Sequence, residues 1–255
     1  SYLYMSKGML TAQYNPQSLW DNCNRGILYI NQFLSVIHDV PWKPSDPEIG
    51  ALFIRRLSGE SYAMRGILRY FLLRNHAGPG VSGQMMGIPV FDEFMKESEF
   101  STPRKTFAES VQSIYDDFDK ALTCLPLDYG NLSSVPAGFT EVKDVYSYNY
   151  VMGNTSQQRV SGRVVKAFMA RLALLVASPA FNANNDVSLW EKAANMTAEL
   201  LDIDNFDPKG NLFYLKAQID AGNITSGDNK DNAEILWRRP VSSHRTWETN
   251  NFPPG

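Results

Sequence analysis

Apolar positions recur at helical spacing through most of this chain. Leu19, Trp20, Cys23, Ile27, Ile30, Leu34 and Ile37 follow the i, i+3, i+4 rhythm of a buried helix face, after Asn15-Pro16, which has the form of an N-cap followed by proline at the first helical position. The pattern predicts a first helix that ends before Pro41. From Leu57 to Arg74, Leu57, Ala63, Met64, Ile67, Leu68, Tyr70, Phe71 and Leu72 fall on one broad arc at about 100° per residue. Phe107, Val111, Ile114, Tyr115, Phe118, Ala121, Leu122 and Leu125 form a stripe that Pro126 stops, which predicts an amphipathic surface helix. Between Gly162 and Ala177 nearly every position is apolar except Arg163, Lys166 and Arg171, so that helix should be covered on most sides before Pro179 ends it. A run from Trp190 to Leu201 follows an Asn-rich link and predicts an antiparallel partner for it. Ser45-Asp-Pro-Glu48, Thr106-Phe-Ala-Glu109 and Ser188-Leu-Trp-Glu191 each fit the capping box, in which hydroxyl and carboxylate satisfy exposed amides reciprocally.

Two stretches break the rhythm. Residues 127–160 are rich in Gly, Ser, Asn and Tyr, and Tyr146, Tyr148 and Tyr150 alternate as on one face of an extended strand. A connection of that length is usually functional or disordered. Residues 204–255 read as mostly irregular, with a short strand over 234–238 and a Phe-Pro-Pro-Gly end that suggests a continuing chain. The fold class predicted is mainly α: tetratricopeptide-like helical hairpins with long irregular loops and little β, without a strict sequence period.

Composition narrows the function. A 44% hydrophobic content over 255 residues supports a substantial core. A net charge of −3 with both signs interspersed offers no nucleic-acid or anionic-membrane partner. Cys23 and Cys124, the two cysteines, sit in helical apolar patterns as small buried hydrophobes and form no disulfide framework or zinc spacing. The densest apolar run, 167–181, contains Arg171 and is too short to span a bilayer.

Candidate chemistry begins with Glu60, which lies near the middle of an apolar arc. A carboxylate there must be paired or protonated. Arg56, one turn back, or an arginine from another element is the expected partner. No histidine or second carboxylate shares the segment, so Glu60 reads as a packing ion pair whose loss lowers stability and leaves ligand contacts intact. Asp116, Asp117 and Asp119 have solvent-facing spacing on their helix, and the histidines His38, His76 and His244 accompany no nucleophile elbow. Asp202 to Phe213 fails the calcium-loop pattern, and Gly78 to Gly83 lacks the lysine of a phosphate loop. No catalytic residue, metal ligand or cofactor is nominated. Sugar binding needs flat aromatic faces beside Asn, Asp and Arg side chains, and Trp42, Tyr146, Tyr148, Tyr150 and Trp247 lie outside the helical stripes as stacking candidates. Trp190, after a cap, is expected in the core, and Trp237 stays ambiguous between core and surface.

The residues also carry a resemblance. Trp20 with Ile27-Leu-Tyr-Ile-Asn31, Leu57-Ser-Gly-Glu60 to Arg65, Tyr70-Phe-Leu and Gly87-Ile-Pro-Val90 resemble successive motifs of the SusD/RagB family, surface glycan-binding lipoproteins of Bacteroidetes. Thr106-Phe-Ala-Glu-Ser-Val, Asp117-Phe-Asp-Lys-Ala121, Ser161-Gly-Arg163, Ala177-Ser-Pro-Ala-Phe-Asn182, Trp190-Glu-Lys-Ala and Asn232-Ala-Glu-Ile-Leu236 continue it in order. Ser61 departs from the family's usual alanine, and the 127–160 insert is long.

The resemblance implies one SusD-like helical domain over residues 1–255, truncated at its C-terminus and without the N-terminal lipoprotein signal. It implies no catalysis. Its function would be to hold an oligosaccharide or other nutrient at the outer-membrane surface and deliver it to a SusC-like TonB-dependent transporter, membrane association resting on a lipid anchor outside this chain. Glu60, Arg65 and Arg163 fall to structural motifs. The rival expectation is a helical-repeat scaffold that binds only proteins.

Overall fold

In the computed structural model, residues 19–95, 101–201 and 236–237 are described; Asn15-Pro16, Asp202 to Phe213, Trp247 and most of 234–238 lie outside them. The chain divides into two compact units, Ser1–Leu200 and Leu201–Gly255. Of the second, Leu236 and Trp237 are irregular and exposed.

The first unit is helical: α1 (Trp20–Val36), α2 (Pro47–His76), α3 (Phe107–Cys124), α4 (Val145–Met152), α5 (Gly162–Ala177) and α6 (Val187–Leu201). One two-residue antiparallel pair, β1 (Gly78–Pro79) with β2 (Met85–Met86), is the only sheet among the described residues. It forms a small hairpin where the sequence offers Gly78 to Gly83.

The spine is α2, 30 residues and about 45 Å long. Its cap differs from the expected box. The Asp46 side chain accepts from the Ile49 N–H with Pro47 at the first helical position, and Ser45 lies outside. Glu48, released from capping, instead accepts from the backbone N–H groups of Lys143 and Asp144 at 3.4 Å each. The Thr106–Glu109 box on α3 forms in both directions. At α6 the cap is again an aspartate. Asp186 Oδ1 accepts from the Ser188 N–H at 2.9 Å and from its hydroxyl at 2.7 Å, and Ser188 is inside the helix. In both failures a neighbouring carboxylate, a stronger acceptor than a hydroxyl, takes the amides first.

Contacts across the helices show two antiparallel hairpins. Along α1 and α2, Trp20 meets His76, Gly26 meets Leu68 and Asn31 meets Arg65. Along α2 and α3, Gly59 meets Cys124, Arg65 meets Asp117 and Arg69 meets Ser113. Gly59 and Gly66 let α3 approach this closely: a Cβ on them would lie 2.6 Å from the Cys124 Cβ and 2.6 Å from the Phe118 ring. Helix α5 covers the other side, with Phe168 edge-on to Tyr70 and Phe71. Lys166 near the start of α5 pairs with Glu199 near the end of α6, so these two helices run antiparallel as expected.

Several packing expectations need correction. Asp117 is not solvent-facing: it is 1% exposed, on the buried side of α3 with Ser110, Ile114 and Phe118. Its carboxylate receives Arg65 at 2.6 Å and Arg69 at 2.7 Å. Arg65 also donates to Asn31 Oδ1 and the Asp92 carbonyl, while Arg69 reaches the Phe91 carbonyl and Asp92. Burial opposes the charge on Arg65, but Asp117 and Asp92 more than offset it and raise its pKa. Trp190 is not a core residue; it is exposed on α6, where Ala193 is the one buried side chain. Only Cys23 is fully buried, and Cys124 is half-buried; both are free thiols.

His76 gives a pH test. Burial, with the Arg104 charge beside it, holds its imidazole below the ordinary 6.5, and its buried Nε2 has no partner among the described residues. In the pH range below 6.5 and above the folded-state pKa, the unfolded chain takes up a proton that the folded chain refuses. Stability should therefore fall as pH drops below about 6.5 and level off once folded His76 protonates. Urea unfolding at pH 7.5 and 5.5 should show a smaller drop for His76→Phe than for the parent. Equal drops would remove His76 as the cause.

Candidate functional site

The long segment between α3 and α5 is ordered by charged side chains of α2. Arg55 donates to the carbonyls of Thr123 and Gly138 at 2.8 Å, pairs with Glu141 and stacks 3.7 Å from the Phe139 ring centroid. One position on, Arg56 donates to the Val151 carbonyl at 2.6 Å and the Ser156 hydroxyl at 2.8 Å. Glu48 and Asp144 complete the anchoring at the start of α4, the latter accepting from the Tyr146 N–H at 2.9 Å.

The expected strand through Tyr146, Tyr148 and Tyr150 is therefore a helix. Period two and period 3.6 both put residues four apart on one face, and the middle tyrosine separates the two. Tyr148 is 1% exposed and packs edge-on against Phe139 at 5.0 Å, whereas Tyr146 and Tyr150 are 63% and 44% exposed. Those two rings lie 6.1 Å apart at 42°, and Phe53 of α2 braces Tyr150 edge-on at 6.2 Å. Lys43 lies 5.4 Å from the Tyr150 ring centroid.

Below this aromatic pair opens a cleft of about 750 Å³, lined by Phe53, Arg56, Asn131, Tyr146, Asn149, Tyr150, Asn154, Thr155, Ser156 and Arg159. Its asparagines are locked. The Asn131 N–H donates to Asn154 Oδ1 and the Asn154 N–H to Asn131 Oδ1, both at 3.0 Å. Asn149 bridges both backbone groups of Leu132. This arrangement requires glycine at 153, since a Cβ there would sit 2.1 Å from the Asn149 carbonyl oxygen and 2.3 Å from Asn131 Oδ1.

Glu60 sits under the same wall. Its carboxylate receives Arg56 at 3.4 Å and Arg159 at 2.8 Å, and the Tyr129 hydroxyl donates to it at 3.3 Å. Burial first and the Glu60 charge second push the Tyr129 phenol far up, which keeps that donor protonated. Burial lowers the Arg56 pKa, and Glu60 opposes that shift.

Of the predicted stacking residues, Tyr146 and Tyr150 meet in the cleft. Tyr148 faces the core, Trp42 is half-buried and does not line the cleft, its Nε1 donating to the Ile37 carbonyl at 3.1 Å, and Trp247 lies outside the described residues. Arg163 does not line the cleft and forms a fork with Asp128 at 2.8 and 2.6 Å. Sequence reasoning missed Asn131, Asn149, Asn154 and Arg159. The signal was the Asn-rich composition of 127–160, which names a type of residue but no partner. A second cavity of about 420 Å³ lies between α1 and residues 89–95, with Trp20, Ile27 and Phe91 in its wall.

Among the described residues no group of His, Cys, Asp or Glu could hold a metal ion, and no helix is long and apolar enough to cross a membrane. No curated protein matches the chain. Its fold is similar to that of a SusD-like protein of Bacteroides fragilis, with a TM-score of 0.56 and 16% identity over 90% of this chain and 34% of that one. A SusD-like carbohydrate binding protein of Bacteroides vulgatus gives 0.53 and 18% over 86% and 36%, and surface glycan-binding protein A of Bacteroides uniformis 0.52 and 18% over 88% and 38%. The chain thus spans little more than a third of the solved structures it resembles. The family profile described as "Starch-binding associating with outer membrane" matches residues 3–142, more than half of the sequence, and the chain accordingly belongs to the SusD-like family.

Proposed function

We propose that this protein binds an oligosaccharide in the Tyr146–Tyr150 cleft and, as a surface-exposed outer-membrane lipoprotein, delivers it to a SusC-like TonB-dependent transporter. The observation that carries this reading is the cleft itself. Two exposed tyrosines stand beside locked asparagines and an arginine, the aromatic-plus-amide surface that a sugar ring needs. The family description, starch-binding and outer-membrane associating, supports both the ligand class and the location. The printed names of the similar structures, a carbohydrate binding protein and a glycan-binding protein, point the same way.

A binding role fits the chemistry better than turnover. None of the described residues lining the cleft is a carboxylate, and Glu60, behind its wall, is held between two arginines and a tyrosine. Glycoside hydrolysis asks for two carboxyl groups facing one bond.

A glycan array of neutral and acidic oligosaccharides, followed by calorimetric titration of the hits, tests the reading. Tyr150→Ala should weaken the best ligand by about tenfold, equivalent to ~1.4 kcal/mol, while Trp42→Ala leaves it unchanged. Binding that survives Tyr150→Ala and Tyr146→Ala together would move the site elsewhere. An array without any bound glycan, with a transporter still co-purifying, would leave the scaffold role.

A further inference from the structure

Among the amide and charged groups of the cleft, the free hydrogen-bonding capacity lies mostly with donors. Both asparagine oxygens already accept backbone N–H groups, Asn131 Oδ1 from Asn154 and Asn154 Oδ1 from Asn131, and Asn154 Oδ1 also accepts from Gln157 Nε2 at 3.5 Å. Asn149 spends its oxygen and its NH₂ on Leu132. The Ser156 hydroxyl donates to the Val151 carbonyl and accepts from Arg56. Glu60 has Arg56 and Tyr129 on one oxygen and Arg159 on the other.

On these groups the remaining capacity is mainly donor, while the exposed hydroxyls of Thr155, Tyr146 and Tyr150 in the lining can both donate and accept. The NH₂ groups of Asn131 and Asn154 have no partner among the described residues, because their oxygens fix which way each amide faces. Arg159 uses Nη1 on Glu60 and is 48% exposed, so the rest of its guanidinium is available. Charge has the same sign: Arg56 and Arg159 line the cleft against the single Glu60 behind it, and Lys43 stands over Tyr150. The other nearby carboxylates, Glu48 and Asp144, are engaged with backbone N–H groups at the start of α4.

A neutral sugar offers hydroxyls that each donate as well as accept, and the hydroxyls of Thr155, Tyr146 and Tyr150 can serve it in either sense, whereas the arginines and the free amide NH₂ groups only donate. A wall with two arginines, two free amide NH₂ groups and no carboxylate among its described lining residues suits a ligand rich in acceptors. We propose that the cleft is selective for an anionic sugar, its ring on Tyr146 and Tyr150 and its carboxylate or sulfate on Arg159 and the Asn131 and Asn154 amides. The inference rests on the cleft being the glycan site.

The test uses the intact protein and three probes: tetragalacturonate, the same oligosaccharide with its carboxyl groups reduced to alcohols, and a sulfated galactan tetrasaccharide. By calorimetry at low salt, at least one anionic probe should bind ten or more times tighter than the reduced one, and the advantage should shrink at high ionic strength. Tighter tetragalacturonate assigns the carboxylate, tighter sulfated probe the sulfate ester. Asn154→Asp keeps the oxygen that receives the Asn131 N–H and replaces the free donor with a negatively charged acceptor. It should weaken the preferred anionic probe tenfold or more and change the reduced probe less than twofold. Equal or tighter binding of the reduced probe overturns the anionic preference and leaves the glycan site standing. No binding of any of the three, together with an empty glycan array, removes the site and the preference together.

Discussion

Replacing Asp117 with alanine is expected to lower unfolding free energy by about 3–5 kcal/mol, a large fraction of a domain's usual margin of about 5–15 kcal/mol. Asp117 is the common counter-charge of Arg65 and Arg69, and all three side chains are 2% exposed or less. Removing it leaves two buried guanidiniums facing each other. Asp92 cannot substitute, since it is 64% exposed, lies 3.9 Å from Arg65 and is already paired with Arg69. Asn31 and the carbonyls of residues 91 and 92 still accept from the arginines, but they carry no charge. Urea denaturation of Asp117→Ala should show the full loss, and Asp117→Asn, which keeps the shape and an acceptor, a smaller one. A cost under 1 kcal/mol for the alanine variant would mean that the network relaxes around the gap.

Glu60→Ala should have the second largest effect, about 3 kcal/mol. Arg56 keeps its bonds to the Val151 carbonyl and the Ser156 hydroxyl, yet loses its counter-charge while buried. Tyr129, itself buried, loses its acceptor. The variant also reaches the cleft, because Arg159, one of its lining residues, is held by Glu60. If the cleft holds the ligand, this acid bears on binding as well as on the stability that the sequence assigns to it. Thermal unfolding should drop for Glu60→Ala and much less for Glu60→Gln, and glycan affinity should change in the alanine variant. Unchanged melting would show that Arg56 is content with its neutral partners.

The helices were legible because their causes are local. The stripes along α1, α2, α3 and α5 follow from the 3.6-residue period, and the Thr106–Glu109 box from two side chains three positions apart. Cap competition was less legible. At Asp46 and Asp186 a carboxylate adjacent to the expected hydroxyl took the amides, a choice that depends on loop geometry. The tyrosine triplet failed for a sharper reason: positions 146 and 150 share a face in either structure, and only contact with Phe139 places Tyr148 in the core.

The sequence by itself determined the helical class, the family and a set of five aromatics that includes Tyr146 and Tyr150. These depend on side-chain period and on motif order, both of which survive without knowing what touches what. Only the tertiary structure decided that Asp117 is buried, that Glu60 joins Arg56 to Arg159, and that Asn131 and Asn154 lock each other with their NH₂ groups left over. Each of those is a contact between residues 20 or more positions apart, except the one-turn Arg56–Glu60 pair. A charge's environment is set by whatever the fold brings beside it, and that pairing is absent from the local pattern.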